Sequence, residues 1–225
     1  MYSLIIFDWD GTLVDSVARI VASIRLAIED VGLPALADDR LKDIIGLGLP
    51  EAMRALYPQV PTMTHDRLRE RYAHYFVQSG NIPVHAFPGV EAALHKLSDQ
   101  GLTLAVATGK SRKGLNRAMQ DTGWTKYFAH SRCADETLSK PHPKMLEELL
   151  EEAAVQPEHA LMIGDTEYDL EMAQRAGVDR VAVSYGVHEL DRLQRFQPNL
   201  VIDHIDELLD WLASRLRVTA NYSNA

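Results

Sequence analysis

Asp8 and Asp10 stand two residues apart, directly behind the short run Ser3-Leu4-Ile5-Ile6-Phe7 and ahead of Gly11-Thr12. An apolar, β-branched run of this length reads as a buried strand. Two carboxylates at the end of such a strand repel one another and lose hydration, so both are disfavoured as ions. A bound cation would remove both penalties, and the carboxyl ends of strands are where open α/β sheets bind ligands. The same residues also suit a plain strand followed by an Asp-Gly turn, with Asp15 capping the next helix.

Other groups of the same chemical kind follow. Asp165 comes after Ile163-Gly164, at the end of a second apolar run. It suits Mg²⁺, which takes few carboxylates and fills its remaining positions with water and substrate oxygens. Asp169 either supports that site or closes a capping box in Thr166-Glu167-Tyr168-Asp169, where an acidic group suits a helix N-terminus. Thr108 ends a third apolar run, just before Gly109. Its hydroxyl and the free N–H groups beside it suit a phosphoryl oxygen; alternatively, Thr108 or Ser111 is a helix N-cap. Lys110 is a neighbour of that substrate or simply solvated. Lys140 precedes Pro141, which favours an extended backbone, and Pro143 can open the following helix. That rigidity would aim the ammonium, although most loop lysines are solvated. His142 reads as loop structure, and the nine histidines show no zinc-type spacing. The Arg67-Arg69-Arg71 run reads as a solvated face.

The elements that must hold these residues fall into two textures. Val17, Ile20, Val21, Ile24, Ile28 and Val31 recur at helical spacing until Gly32 and Pro34. Helices are expected near 38–44, 50–57 and 64–79, the last with Leu68, Tyr72, Tyr75 and Phe76 on one face. No convincing strand lies between 16 and 84. From residue 89 onward, helices over 89–100, 111–121, 143–154, 167–176 and 204–216 alternate with strands over 102–107, 129–133, 160–163, 180–183 and 200–202. Alternation of this kind reads as a parallel sheet covered on both faces. Ile45-Gly46-Leu47-Gly48-Leu49-Pro50 is a glycine-bearing turn before a helix, and the tail after Val218 is polar and expected to fray.

Bulk properties narrow the function classes. The 225 residues suffice for a sizeable core with a smaller companion. A formal net charge of −9 with no long basic stripe argues against nucleic-acid binding. No apolar run reaches membrane-spanning length, and the N-terminus carries no signal-like pattern. Cys133 is the only cysteine, which excludes an internal disulfide, fits a reducing cytoplasm and reads as a small core residue.

Four segments also match one family in order: Phe7-Asp8-Trp9-Asp10-Gly11-Thr12-Leu13-Val14-Asp15-Ser16, Ala107-Thr108-Gly109-Lys110, Lys140-Pro141-His142-Pro143, and Ile163-Gly164-Asp165-Thr166-Glu167-Tyr168-Asp169. Together they resemble the haloacid dehalogenase-like hydrolases, specifically the phosphatases with a helical cap inserted after the first strand, phosphoglycolate phosphatase-like members above all. The resemblance spans residue 3 to about residue 186. It implies Asp8 as a nucleophile that becomes an aspartyl-phosphate and Asp10 as the general acid and then base. It implies Mg²⁺ held by Asp8, the Asp10 backbone carbonyl and Asp165. Thr108, Gly109 and Lys110 would meet the substrate, and Lys140 would neutralise Asp8 and the phosphate. The Gly46–Gly48 turn would reach the substrate, or is an interhelical turn and no more.

The expected fold is a doubly wound parallel-sheet (Rossmann-like) α/β core, residues 1–15 and 85–225, with a helical cap at 16–84. The expected function is Mg²⁺-dependent hydrolysis of a small phosphorylated metabolite, with phosphoglycolate first among substrates. Alternatives are a phosphomutase or pyrophosphatase on the same fold, or a non-catalytic phosphate-binding regulatory module. A dehalogenase is disfavoured, because Asp10 supplies the leaving-group acid that a phosphatase needs. A cytoplasmic monomer or weak homodimer without nucleic-acid or membrane partners completes the expectation.

Overall fold

In the computed structural model, residues 1–80 and 82–222 are described, with side chains up to Ser214. The chain begins with β1 (Leu4–Phe7), a two-residue β2 (Val14–Asp15) and four helices: α1 (Val17–Val31), α2 (Asp38–Asp43), α3 (Leu49–Leu56) and α4 (Thr62–Gln78). It returns through β3 (His85–Ala86), α5 (Val90–Asp99), β4 (Thr103–Thr108), α6 (Arg112–Thr122), β5 (His130–Cys133) and α7 (Lys144–Ala153). Then come β6 (Ala160–Gly164), α8 (Glu167–Ala176), β7 (Asp179–Val183), α9 (Leu190–Gln194), β8 (Leu200–Ile202) and α10 (Ile205–Tyr222).

Six strands form one parallel sheet in the order β5-β4-β1-β6-β7-β8. The period-2 alternation of side chains sorts the core into two layers. Ile5, Phe7, Leu104, Val106, Leu161 and Ile163 face one cluster, completed by α5, α6 and α10. Leu4, Ile6, Ala105, Ala107, Ala160 and Met162 face the other, completed by α7 and α8. Burial on both faces explains why β1 reads as an unbroken apolar run rather than an alternating one. The architecture is therefore α/β and doubly wound, as the sequence predicts.

Helices α1 to α4 enclose a separate apolar cluster that includes Ile24, Leu41, Met53, Leu56 and Leu68. The chain leaves for this block through β2 and returns through β3, and the two pair antiparallel, Val14 with Ala86 and Asp15 with His85. The block is tied to two of the sheet's helices and to the loop ahead of α7. Tyr168 Oη donates to the Asp43 carbonyl at 2.8 Å, Arg192 Nη1 lies 2.6 Å from Asp43 Oδ1, and the Gly48 N–H donates to Ser139 Oγ at 2.7 Å.

Some details differ from the sequence reading. β2, β3 and α9 were not expected, because elements of two to five residues are too short to display a period. Asp15 does not cap α1: it is exposed in β2, and Ser16 holds the N-cap position. Helix α10 runs past residue 216 to Tyr222; the part of the expected frayed tail at 223–225 lies outside the described residues. Cys133 is buried in the first core layer, where burial pushes its thiol up to about 12.

Leu68 of α4 has no solvent exposure at the centre of the helical block. Leu68→Ala removes buried methyl groups and leaves a cavity, so stability should fall by about 2–5 kcal/mol. The urea-unfolding midpoint reads this directly; an unchanged midpoint would contradict the packing described.

Candidate active site

The three central strands β4, β1 and β6 end side by side. Phe7 stands in register with Val106 on one side and Ile163 on the other. After β1 the order of the sheet runs outward in both directions, β4 on one flank and β6 on the other. That is the switch point at which open sheets leave a crevice. Asp8 follows β1, Thr108 is the last residue of β4, and Asp165 follows β6, so the three lie across adjacent strand ends.

Lys140 reaches this point from the loop ahead of α7. Its Nζ lies 2.8 Å from Asp8 Oδ1 and 2.6 Å from Asp169 Oδ1, and all three side chains are almost without exposure. One carboxylate oxygen each from Asp8, Asp165 and Asp169 lies within 4.8 Å of the others. Asp165 is fixed from two sides: Thr12 Oγ1 donates to Oδ1 at 2.7 Å, and the Val187 N–H donates to Oδ2 at 2.9 Å.

Asp169 performs both roles that the sequence left open. Its Oδ2 accepts from the Thr166 N–H at 3.1 Å and from Thr166 Oγ1 at 2.7 Å, closing a capping box on α8. Its Oδ1 is left for Lys140. At α6 the N-cap is Ser111, whose hydroxyl accepts from the Gly114 N–H. Thr108 therefore does not cap α6. It is buried on the cavity lining, where its hydroxyl accepts from the Lys110 N–H at 3.2 Å.

Asp10 is not part of the Asp8–Asp165–Asp169 group and has partners of its own. Ser16 Oγ donates to its Oδ1 at 2.5 Å, and Lys110 Nζ lies 2.9 Å from its Oδ2. The carboxylate is thus engaged by Ser16 and Lys110 rather than by the other three. Thr12 and Ser16 belong to the first motif, yet the sequence reading assigned them no partner. Their small hydroxyls two and six residues after Asp10 were the available signal.

The Gly46–Gly48 turn does meet the sheet side of the cavity. A Cβ at Gly109 would come within 2.5 Å of the Leu47 carbonyl and 2.6 Å of the Gly46 carbonyl, so only glycine lets the two backbones approach this closely. Gly46 itself has φ +102°, a conformation few other residues adopt. By contrast, His142 is exposed and accepts the Lys144 N–H at the start of α7, and Arg67 and Arg69 lie on an exposed face.

The electrostatics follow from burial. Burial raises the Asp8 carboxyl well above its ordinary value; Lys140 opposes this, while Asp169 and Asp165 add to it. Burial, then the Asp169 charge, pushes Asp165 up to about 7, against the hydrogen bonds from Thr12 and Val187. Burial alone would lower the Lys140 ammonium, but Asp169 and Asp8 reverse that and hold it raised. Three carboxylates thus share one ammonium, and Asp8 Oδ2 is buried with no hydrogen-bond partner among the described residues. An all-carboxylate donor set suits a hard divalent cation. Asp8, Asp165 and Asp169 are the residues whose oxygens lie close enough together to hold it.

Comparisons with known proteins identify a family. The family model described as haloacid dehalogenase-like hydrolase matches residues 5–183. The chain is 30% identical over 218 residues to a phosphoglycolate phosphatase of Vibrio parahaemolyticus, a match covering 93% of this chain and 96% of the relative. It is 28% identical over 206 residues to a pyrophosphatase of Oceanobacillus iheyensis, covering 91% and 94%. A solved hydrolase from Pseudomonas syringae shares the fold with a TM-score of 0.86 at 23% identity, covering 94% of this chain and 98% of that one.

A pH-dependent prediction follows from Asp165. Its folded-state pKa lies above the ordinary carboxylate value, so its contribution to stability is lost as pH rises from about 4 to about 7 in the metal-free protein. A divalent cation should offset that loss only where the carboxylate is ionised. The rise in Tm on adding Mg²⁺ should therefore be larger at pH 7.5 than at pH 5. An equal rise at both pH values would contradict it.

Proposed function

The chain belongs to the haloacid dehalogenase-like hydrolases, and on that premise we propose a Mg²⁺-dependent phosphatase that works through an aspartyl-phosphate on Asp8. The observation that carries this reading is the buried, unpartnered Asp8 Oδ2 on the lining of the cavity, beside the buried Lys140 ammonium. A nucleophile needs a lone pair that nothing else occupies, and it needs a fixed position.

In the first step Asp8 attacks the phosphorus atom, and the ester oxygen departs with a proton from Asp10. In the second, Asp10 takes a proton from a water molecule, which attacks the same phosphorus. Inorganic phosphate leaves, and Asp8 is restored. Asp10 is held by Ser16 and Lys110 within the lining of that cavity. An arriving phosphate dianion would compete with Asp10 for Lys110. Thr108 and the N–H groups near Gly109 offer hydrogen bonds to the phosphoryl oxygens. Lys140 offsets the charge of Asp8 and of the phosphoryl group and is itself oriented by Asp169. Mg²⁺, held by Asp8, the Asp10 carbonyl and Asp165, supplies further positive charge against the phosphoryl oxygens when bound.

Residues 16–84 act in this reading as a cap over core residues 1–15 and 85–225, with the Gly46–Gly48 turn at the substrate. The substrate is a small phosphomonoester, the class to which the phosphoglycolate named for several relatives belongs. No helix among the described residues is long and apolar enough to cross a membrane. A cytoplasmic enzyme, monomeric or weakly dimeric, fits that and the single cysteine.

Asp8→Asn keeps the side chain's shape and removes the attacking charge. Turnover should fall by at least about a thousandfold, while the unfolding midpoint stays level or rises, because one buried carboxylate is gone. Chelation should stop hydrolysis and Mg²⁺ restore it, with Ca²⁺ a poor substitute because its coordination is longer and looser. Near-normal hydrolysis by Asp8→Asn, or full activity in excess chelator, would contradict the mechanism.

A further inference from the structure

The cavity above Asp8 has two unlike sides. Toward the sheet it is polar, with Asp8, Asp10, Thr108 and Lys110. Toward the cap it is lined by Ile20, Ile24, Ile45, Leu49 and Phe76. Among the described cap residues, Tyr72 brings the only polar side-chain atom to this lining, and no Lys, Arg, His, Asn, Gln, Ser or Thr of the cap takes part. The Tyr72 hydroxyl makes no hydrogen bond among the described residues. Burial and the nearby Asp10 charge raise its pKa, which keeps the phenol neutral.

Among the described residues, the cations on this lining come from the core; the cap's Arg19 stacks on the Phe76 ring, 5.7 Å from its centroid, without joining the lining. Lys110 is held 2.9 Å from Asp10 and 5.0 Å from the Phe76 ring centroid. Lys113 and Arg117 of α6 line the same cavity, but both are exposed. Arg117 lies about 6 Å farther along the helix than Lys113. The space itself is small, about 210 Å³, below the roughly 300–1,000 Å³ of drug-sized sites.

Such a wall treats two kinds of alcohol differently. Against the cap wall, a carboxylate two carbons from the phosphate would lose its hydration to aliphatic side chains with one neutral phenol in return, the cations lying across the cavity, where Lys110 is already paired with Asp10 and Lys113 and Arg117 face solvent. An alkyl or aryl group would gain from every methylene it buries there. Resting on the phosphatase reading above, we propose that the substrate is a small phosphomonoester of an apolar alcohol, alkyl or aryl, rather than of a hydroxy acid. Chemistry common to all esters stays with the core, and the cap selects the alcohol by apolar contact.

The test compares kcat/KM, with Mg²⁺, for n-propyl, n-butyl and n-pentyl phosphate against phosphoglycolate. Aliphatic alcohols keep leaving-group acidity from dominating the result. The value should rise about threefold to fourfold per methylene, and n-butyl phosphate should exceed phosphoglycolate by at least about tenfold. Ala73→Lys places a cation at an exposed position on the same wall. It should shift the ratio toward phosphoglycolate by about fivefold. A flat alkyl series, a preference for phosphoglycolate, or an unshifted ratio in Ala73→Lys would overturn the apolar assignment and leave the phosphatase reading standing. Hydrolysis of none of these esters would overturn both.

Discussion

Three carboxylates and one ammonium, all almost without solvent, set the terms for the rest of this protein. Asp8, Asp165 and Asp169 outnumber Lys140, so the metal-free site carries more negative than positive charge in a place where neither is well hydrated. Replacing such a cluster with apolar residues would relieve that strain. Its presence makes sense when two further charges arrive, a cation and a phosphoryl group, each of which balances the other. The same imbalance pushes Asp165 up toward neutrality in the free protein and leaves Asp8 with an oxygen that nothing among the described residues satisfies.

Holding these charges at fixed separations requires a rigid frame, and the sheet supplies it. β1, β4 and β6 are apolar on both faces and locked between two helical layers. Their ends are therefore among the least mobile points available in the fold. Secondary contacts refine what the strands begin: Thr12 and Val187 on Asp165, Thr166 on Asp169, Ser16 and Lys110 on Asp10. The helical block has its own core and touches the sheet side through a few polar contacts and the Gly46–Gly109 approach. A boundary built this way suits an element that varies what is bound without disturbing the chemistry beneath it.

Much of this was legible in the sequence, and the gaps have physical reasons. β1 was readable because a strand buried on both faces has no polar positions to blur the pattern. Asp8, Lys140 and the Asp165–Asp169 pair come from three distant stretches, and no periodicity in the chain says that they meet; the ordered motifs did. Asp169 looked ambiguous between capping and support because a carboxylate has two oxygens, and here each takes one role. Tyr72 and Phe76 share a helical face with the fully buried Leu68, and spacing alone reads the whole face as core. Only the fold reveals that part of that face borders the cavity. β2, β3 and α9 were invisible for want of length.

The central claim is that Asp8 forms a covalent bond to phosphorus, and a quenched single-turnover reaction tests it most directly. The protein is mixed with a stoichiometric phosphate ester and Mg²⁺, stopped in acid within the first turnover, and mapped by mass spectrometry after digestion. The account predicts a transient phosphoryl group on the peptide carrying Asp8, stable in acid, released by hydroxylamine, and absent from Asp8→Asn. Phosphate release with no protein-bound phosphoryl group at any time, or a label on a different residue, would contradict it.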